Sequence, residues 1–266
     1  MIEAQADLNL ALELADLADE ITMARFRADD LLVETKPDLT PVSEADRAVE
    51  QTLRARLAEL RPGDAILGEE YGVDAVQGAH RRWVVDPIDG TKSYVRGVPV
   101  WATLLALEQD GVLSLGVVSA PALSRRWWGA RGTGSFVREG IGTPPRPLAV
   151  SAIRSLSDAQ LCFGGFEEWL ETGRLQGLTD LSRRCWRTRG YGDFWQYMLV
   201  AEGAAEIALD PIASFWDLAA PLVIVAEAGG RFTDLGGITT AGGGDGLATN
   251  GALHEAALEL VGRRGS

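Results

Sequence analysis

The sequence predicts a layered α/β chain built in two halves. Three observations carry this. Leu10, Leu14, Leu17, Ile21 and Ala24 recur at spacings of 4, 3, 4 and 3, one apolar stripe of a helix over 6–28. Two apolar runs, 101–109 and 112–119, meet at Asp110-Gly111, a strong hairpin signal. Beyond a segment with three prolines and two glycines at 139–147, strand and helix patterns alternate.

From the N-terminal helix onward, Leu31 to Glu34 reads as a short strand, and Pro37 and Pro41 break regular structure over 36–41. Ser43 is an expected N-cap, with Glu44 and Asp46 in the favourable first turn. That helix carries Val49, Leu53, Leu57 and Leu60 on one face and stops before Pro62-Gly63. Ala65 to Leu67 is a strand running into Gly68-Glu69-Glu70, and 72–80 reads as a surface loop. Trp83 to Asp86 is a buried strand ending at a site, with a rigid turn at Pro87. A second hairpin turns at Gly132-Thr133-Gly134, between 125–130 and 135–138. Residues 1–146 thus read as helices on an antiparallel sheet. In 147–266, strands are expected at 148–151, 160–163, 185–189, 205–209, 231–233 and 247–249. Helices are expected near 166–182, 193–202, 215–228 and 252–262, and a loop at 242–246.

Composition narrows the function. Apolar residues make up 46% of the 266, enough for a sizeable core. The net charge of −13 argues against nucleic acid as partner, since duplex binding needs clustered positive charge. It leaves room for an anionic substrate, because a bound cation reverses the local field. No apolar run approaches a membrane span, and no basic and apolar leader opens the chain, so no membrane partner and a cytoplasmic location are expected. Cys162 and Cys185 are far apart and read as buried reduced thiols, with one disulfide as the alternative.

The chemistry concentrates at Asp86-Pro87-Ile88-Asp89-Gly90-Thr91. Two carboxylates bracket a rigid turn, and the adjoining helix start offers N–H groups to an anion. Glu69 and Asp217 join them as candidate ligands, because Mg²⁺ takes carboxylate oxygens and keeps waters and substrate phosphates. A lone Asp at a strand end or helix start is most often structural; the hexapeptide changes that balance. Two ions about 3.5–4 Å apart can neutralise a phosphate monoester, activate water and stabilise the leaving oxygen. Asp46 with Thr91 is a candidate water-orienting pair, weighed evenly against Asp46 as an ordinary first-turn acid. His80 and His254 have no zinc spacing, and no nucleophile elbow, Walker motif or dinucleotide fingerprint is present. Trp127, Trp128 and Trp216 read as core or interface residues rather than a stacking platform.

Gly68-Glu69-Glu70, Trp83 to Thr91, Trp216-Asp217 and Glu227-Ala228-Gly229-Gly230 together resemble the inositol monophosphatase family, in order, from about Lys36 to Asn250. The resemblance implies a five-layered α/β/α/β/α sandwich of the inositol monophosphatase and fructose-1,6-bisphosphatase type. It also implies a homodimer, lithium sensitivity, and two or three Mg²⁺ ions per site. Carried over, Glu69, Asp86 and the Ile88 carbonyl hold one ion, and Asp86, Asp89 and Asp217 a second. Glu69 also serves a weaker third. Gly90 and Thr91 cradle phosphate, and Asp46 with Thr91 activates water. Lys92-Ser93-Tyr94 departs from the family's usual Asn-Phe continuation and adds a charge near the anion.

The stretches Lys36 to Val42, Thr91 to Ala102, Ser119 to Leu123, Arg126 to Trp128 and Tyr191 to Phe194 resemble the actinobacterial histidinol-phosphate phosphatases within that family. This implies hydrolysis of L-histidinol phosphate, a small substrate with an amine and an imidazole. Asp193 and Asp210 are the expected partners of its cationic groups, and Arg189 of phosphate or of one of these acids. Plain surface charge is the alternative for all three. An inositol monophosphatase or a broad sugar or nucleotide phosphatase is the competing reading. A non-catalytic family member is disfavoured by four intact acid positions.

Overall fold

The computed structural model describes residues 2–262 apart from 38 and 141, with side chains from residue 4 onward. Asp38, within the Lys36–Val42 stretch, therefore lies outside the described residues. Helix α1 (Ile2–Arg25) and α2 (Glu44–Leu60) pack on each other and flank a two-stranded ribbon of β1 (Val33–Thr35) and β2 (Pro41–Ser43).

The larger sheet has eight strands. It contains β3 (Ala65–Gly68), β4 (Gly72–Asp74), β5 (Arg81–Asp89), β6 (Ala102–Gln109), β7 (Val112–Ala120), β8 (Arg125–Ala130), β9 (Gly134–Glu139) and β10 (Arg146–Pro147). Their spatial order is β10-β9-β8-β7-β6-β5-β3-β4. Among the described residues, only β3 and β5 of this sheet run parallel; every other neighbouring pair is antiparallel. The five-residue α3 (Thr91–Val95) leaves the end of β5.

The second sheet has the order β12-β11-β13-β15-β14, from β11 (Gln160–Phe163), β12 (Arg187–Arg189), β13 (Ile207–Asp210), β14 (Arg231–Thr233) and β15 (Gly246–Thr249). Helices α4 (Phe166–Glu171), α5 (Leu175–Arg184), α6 (Asp193–Ala201), α7 (Phe215–Glu227) and α8 (His254–Val261) complete the chain.

Side-chain alternation along strands sorts these elements into five layers. Val85, Leu105, Val117 and Trp128 face α1 and α2, with Leu14, Leu53 and Leu57. Val84, Leu104, Val118 and Trp127 face the opposite way, onto α6 and α7, whose other side meets Cys162, Ala208 and Ala248 of the second sheet. Leu161, Ile207 and Leu247 face outward again, onto Trp169, Leu178, Leu181 and Val261 of α4, α5 and α8. Both Trp127 and Trp128 are core residues, on opposite faces of β8, as expected for adjacent strand positions. One apolar core thus spans the two sheets, so the halves are not packed separately.

Several expectations are corrected. The strand expected at 31–34 is displaced to Val33–Thr35, and the loop expected at 72–80 opens with β4. Residues 148–151 form no strand; β10 pairs instead just before them. The helix expected over 166–182 is broken at Thr172–Arg174, where Gly173 has φ 69°, and resumes as α5. Cys162 is buried, but Cys185 is only partly so; both are free thiols. Among the described residues no helix is long and apolar enough to cross a membrane.

Candidate active site

The centre of the site is a bulge. Asp86 pairs with Leu104 and Asp89 with Ala102, three steps on β5 against two on β6. In a regular strand, residues three apart point to opposite faces. The extra residue resets the alternation and allows both acids to serve one site, a common use of bulges. Pro87 therefore interrupts a continuing strand rather than ending it. Its carbonyl accepts from Thr103 Oγ1 at 2.8 Å, and Ile88 is fully buried against Ala45, Tyr94 and Trp101. Pro87 has no N–H to leave unpaired, which suits a position where the ladder is broken.

Helix starts supply the next two acids. Asp46 is the third residue of α2, and its Oδ2 accepts from the Ser43 N–H at 2.8 Å and the Ser43 hydroxyl at 2.5 Å. Asp217 stands at the same position in α7 and accepts from the Ser214 N–H at 2.7 Å through Oδ2. Both satisfy helix-end donors with one oxygen. Asp46 Oδ1 meets the Thr91 hydroxyl at 3.2 Å, so Asp46 is a first-turn acid and a partner of Thr91 at once. The Thr91 hydroxyl also lies 2.9 Å from the Ile88 carbonyl. Gly90, with φ 83°, turns the chain from β5 into α3. A Cβ there would meet the Val100 carbonyl at 3.0 Å as well as adopt a conformation costly for L-residues.

The fold brings Asp86, Asp89 and Asp217 together, each offering an oxygen within 4.8 Å of the others. Asp86 Oδ1 is buried without a hydrogen-bond partner. Burial, then the charges of Glu69, Asp89 and Asp217, hold Asp86 well above the usual carboxylate range. Burial with Asp193 and Asp217 does the same to Asp89, and burial pushes Asp217 up to about 7. Carboxylates this close repel unless protons or a cation sit between them. An all-oxygen cluster with an orphaned buried oxygen suits a hard divalent cation. The charge of Glu69 acts on both Asp86 and Asp217.

A cavity of about 160 Å³ opens from this cluster. Asp89 and Asp217 line it, and so do Glu168, Asp193 and Asp210. Asp193 begins α6 with φ 50°, and burial pushes its pKa up to about 6 while Lys92 pulls it back. Asp210 ends β13, accepts from Gln196 Nε2 and, at 2.6 Å, from the Tyr197 hydroxyl, and is raised to about 7 by burial. Lys92 is exposed, with its charge acting on both Asp193 and Glu168. Arg189 does not join this group: it is exposed on the outer strand β12 and donates to its neighbour's carbonyl, Thr188, at 2.7 Å. A larger cleft, about 560 Å³, lies between α1 and β8 and contains none of these acids.

The sequence profile of the inositol monophosphatase family matches residues 3–265. The chain belongs to the inositol monophosphatase family. A histidinol-phosphatase of Mycobacterium tuberculosis is 54% identical over 252 residues, covering 95% of this chain and 96% of the relative. A histidinol-phosphatase of Streptomyces coelicolor is 52% identical over 262 residues, covering 97% of each chain. The crystal structure of extragenic suppressor protein suhB from Bartonella henselae superposes with a TM-score of 0.88 at 27% identity, covering 96% of this chain and 98% of that one.

Two side chains of this inositol monophosphatase-family site escape a reading of the sequence as candidate residues. Lys36 Nζ lies 2.8 Å from Glu69 Oε1 and 2.5 Å from Glu70 Oε1. Burial opposes its charge, but these two bonds outweigh that and raise its pKa above the ordinary lysine value. Burial also pushes Glu70 up to about 7. Glu168, raised by burial, faces the cavity from α4. The only sequence signals were a lysine ahead of Pro37 and a Gly164-Gly165 pair ahead of an acidic helix start.

Proposed function

We propose that this chain hydrolyses L-histidinol phosphate to L-histidinol and inorganic phosphate, using Mg²⁺. The observation that carries the substrate is the cavity's wall: Glu168, Asp193 and Asp210 continue directly from the Asp86–Asp89–Asp217 cluster. A leaving group bearing an amine and an imidazole suits three acids beside the reacting phosphate; a neutral polyol gains less from them.

Asp86, Asp89 and Asp217 would hold one ion, and Glu69 and the Ile88 carbonyl would join Asp86 at another, with two or three ions in all. Bound Mg²⁺ supplies charge neutralisation at the phosphoryl oxygens and acidifies water. The N–H groups of Gly90 and Thr91 orient the phosphate, and Lys92 adds positive charge at its edge. Thr91 has one hydroxyl proton; when it donates to Asp46, its lone pairs accept from the attacking water and set its approach. The proton then passes through Thr91 to Asp46. Burial, the main cause of Asp46's raised pKa, strengthens it as a base. Asp193, Asp210 and Glu168 bind the cationic end of the leaving alcohol. The reading includes a homodimer acting in the cytoplasm, and sedimentation tests the dimer.

The decisive experiment compares phosphate release from histidinol phosphate, inositol 1-phosphate and a nucleoside monophosphate, with Mg²⁺ present. The proposal expects kcat/KM to be highest for histidinol phosphate by a wide margin. Equal rates on all three would replace it with a broad phosphatase. Growth of a histidine-requiring strain lacking this step should be restored by the chain.

A further inference from the structure

Helix α2 carries Asp46, and one turn later, on the same face, Glu50. Glu50 is fully buried, and its described hydrogen bonds go to none of the site's carboxylates. Its Oε2 accepts from the Glu70 N–H at 2.7 Å, and its Oε1 from the Tyr71 N–H at 3.1 Å and Arg54 Nε at 2.8 Å. Arg54 continues to the Gly72 carbonyl at 2.5 Å and to Asp74 Oδ2 at 2.6 Å. The carboxylate thus lies under the turn that joins β3 to β4, and that turn presents Glu69. Gly68 makes room for it: a Cβ there would stand 2.0 Å from Glu50 Oε1. A buried carboxylate is costly unless it is paired and hydrogen-bonded, and here every described bond goes to the turn or to the arginine that also grips the turn.

We infer that Glu50 is a positioning residue, which fixes the backbone of the Glu69–Tyr71 turn so that Glu69 faces Asp86. This rests on the reading of Glu69 as a cation ligand. The same helix places Asp46 against Thr91, so α2 sets the separation between the water-side pair and Glu69. Neutralising Glu50 leaves two donors of the turn facing an amide that can accept from only one side. The turn then loses its register, and Glu69 its aim.

The test is titration of the metal-free enzyme with Mn²⁺, following free Mn²⁺ by its paramagnetic resonance, beside the Mg²⁺ dependence of phosphate release. Glu50→Gln should weaken Mn²⁺ binding about ten-fold, the lower end of what losing a partner behind a ligand costs. Its rate should recover at saturating Mg²⁺. Asp74→Asn, which alters the exposed end of the same Arg54 network, should bind Mn²⁺ as the wild type does. Should Glu50→Gln not fold, Glu50→Asp decides, since it keeps the charge but cannot reach both N–H groups. Lower thermal stability with unchanged Mn²⁺ affinity would overturn the inference and leave Glu50 a structural staple. If Glu69→Gln itself binds Mn²⁺ like the wild type, the reading of Glu69 fails first. If Glu69→Gln is deficient and Glu50→Gln is not, only the positioning role falls.

Discussion

Phe194 donates its backbone N–H to Asp89 Oδ2 at 2.5 Å, across 105 residues of sequence. The contact ties the first turn of α6 to the carboxylate at the end of β5. Asp193 is the neighbouring residue, so the cavity wall and the cation cluster are held to each other by one bond. Phe194 itself is anchored in the shared core against Trp127, with ring centroids 6.0 Å apart. The proposed cation ligand Asp89 and the proposed recognition residue Asp193 are therefore coupled through the start of α6.

That link sharpens what Asp89→Asn should do. The amide removes one of three clustered charges, and its nitrogen cannot accept the Phe194 N–H. Mg²⁺-dependent phosphate release should fall more than the ~10–100-fold that losing an outlying partner of a ligand costs. Saturating Mg²⁺ should not restore it. Near-normal turnover would remove the metal mechanism.

Thr91 and Asp46 should behave as one device. Thr91→Val removes the hydroxyl that meets Asp46 Oδ1, and Asp46→Asn removes the acceptor. Each should lower kcat by ~10²–10⁴, the usual range for general-base assistance. The double variant should be no worse than the poorer single one, because a broken relay cannot be broken twice. Additive losses measured by steady-state kinetics would show that the two residues act separately.

The parts legible in the sequence were those whose neighbours in space are also neighbours in the chain. Asp86 and Asp89 sit three residues apart, and the hexapeptide around them is specific. Both Asp46 and Asp217 stand where a helix-start acid is expected. The bulge was not legible: Pro87 lacks an N–H, which suits a turn and a broken ladder equally, and only the pairing with β6 decides. Lys36 reaches Glu69 from a loop, 33 residues away. Glu168 becomes a cavity residue only because α4, α6 and β13 converge there. The failed strand at 148–151 has a similar cause. Leu148 fills the core and its N–H still donates to the Ser135 carbonyl of β9 at 2.8 Å, but the Val150 N–H turns to the Ala228 carbonyl at 3.1 Å, so the pairing goes no further.

Glu168→Gln should separate charge recognition from catalysis. The amide keeps the shape of the cavity wall but loses the charge for a cationic leaving group. Glu168 is partly exposed, so the loss should be about 1 kcal/mol, or ~5-fold in KM for histidinol phosphate. The KM for inositol 1-phosphate should not change. Asp193→Ala should show the same contrast, since Asp193 lines the same cavity. Equal effects on both substrates would remove these acids from recognition.

His254 should give the protein an acid-sensitive component of stability away from the site. Its ring is fully buried between Thr233 and Thr249, whose hydroxyls lie 3.0 Å from Nε2 and Nδ1. Burial, aided by the charge of Arg231, lowers its pKa from 6.5 to about 4. Between those values the unfolded chain binds the proton and the folded chain does not, so stability rises with pH. The contribution is complete above 6.5 and is lost as pH falls towards 4, in total about 3 kcal/mol. Asp210 and Asp217, raised by burial, act in the opposite sense and gain stability as pH falls. The measurement is therefore a difference: urea unfolding of wild type and His254→Gln at pH 7 and pH 5. The wild type should lose about 2 kcal/mol more than the variant over that interval. Parallel losses in the two proteins would mean that the ring accepts a proton without opening its threonine cage.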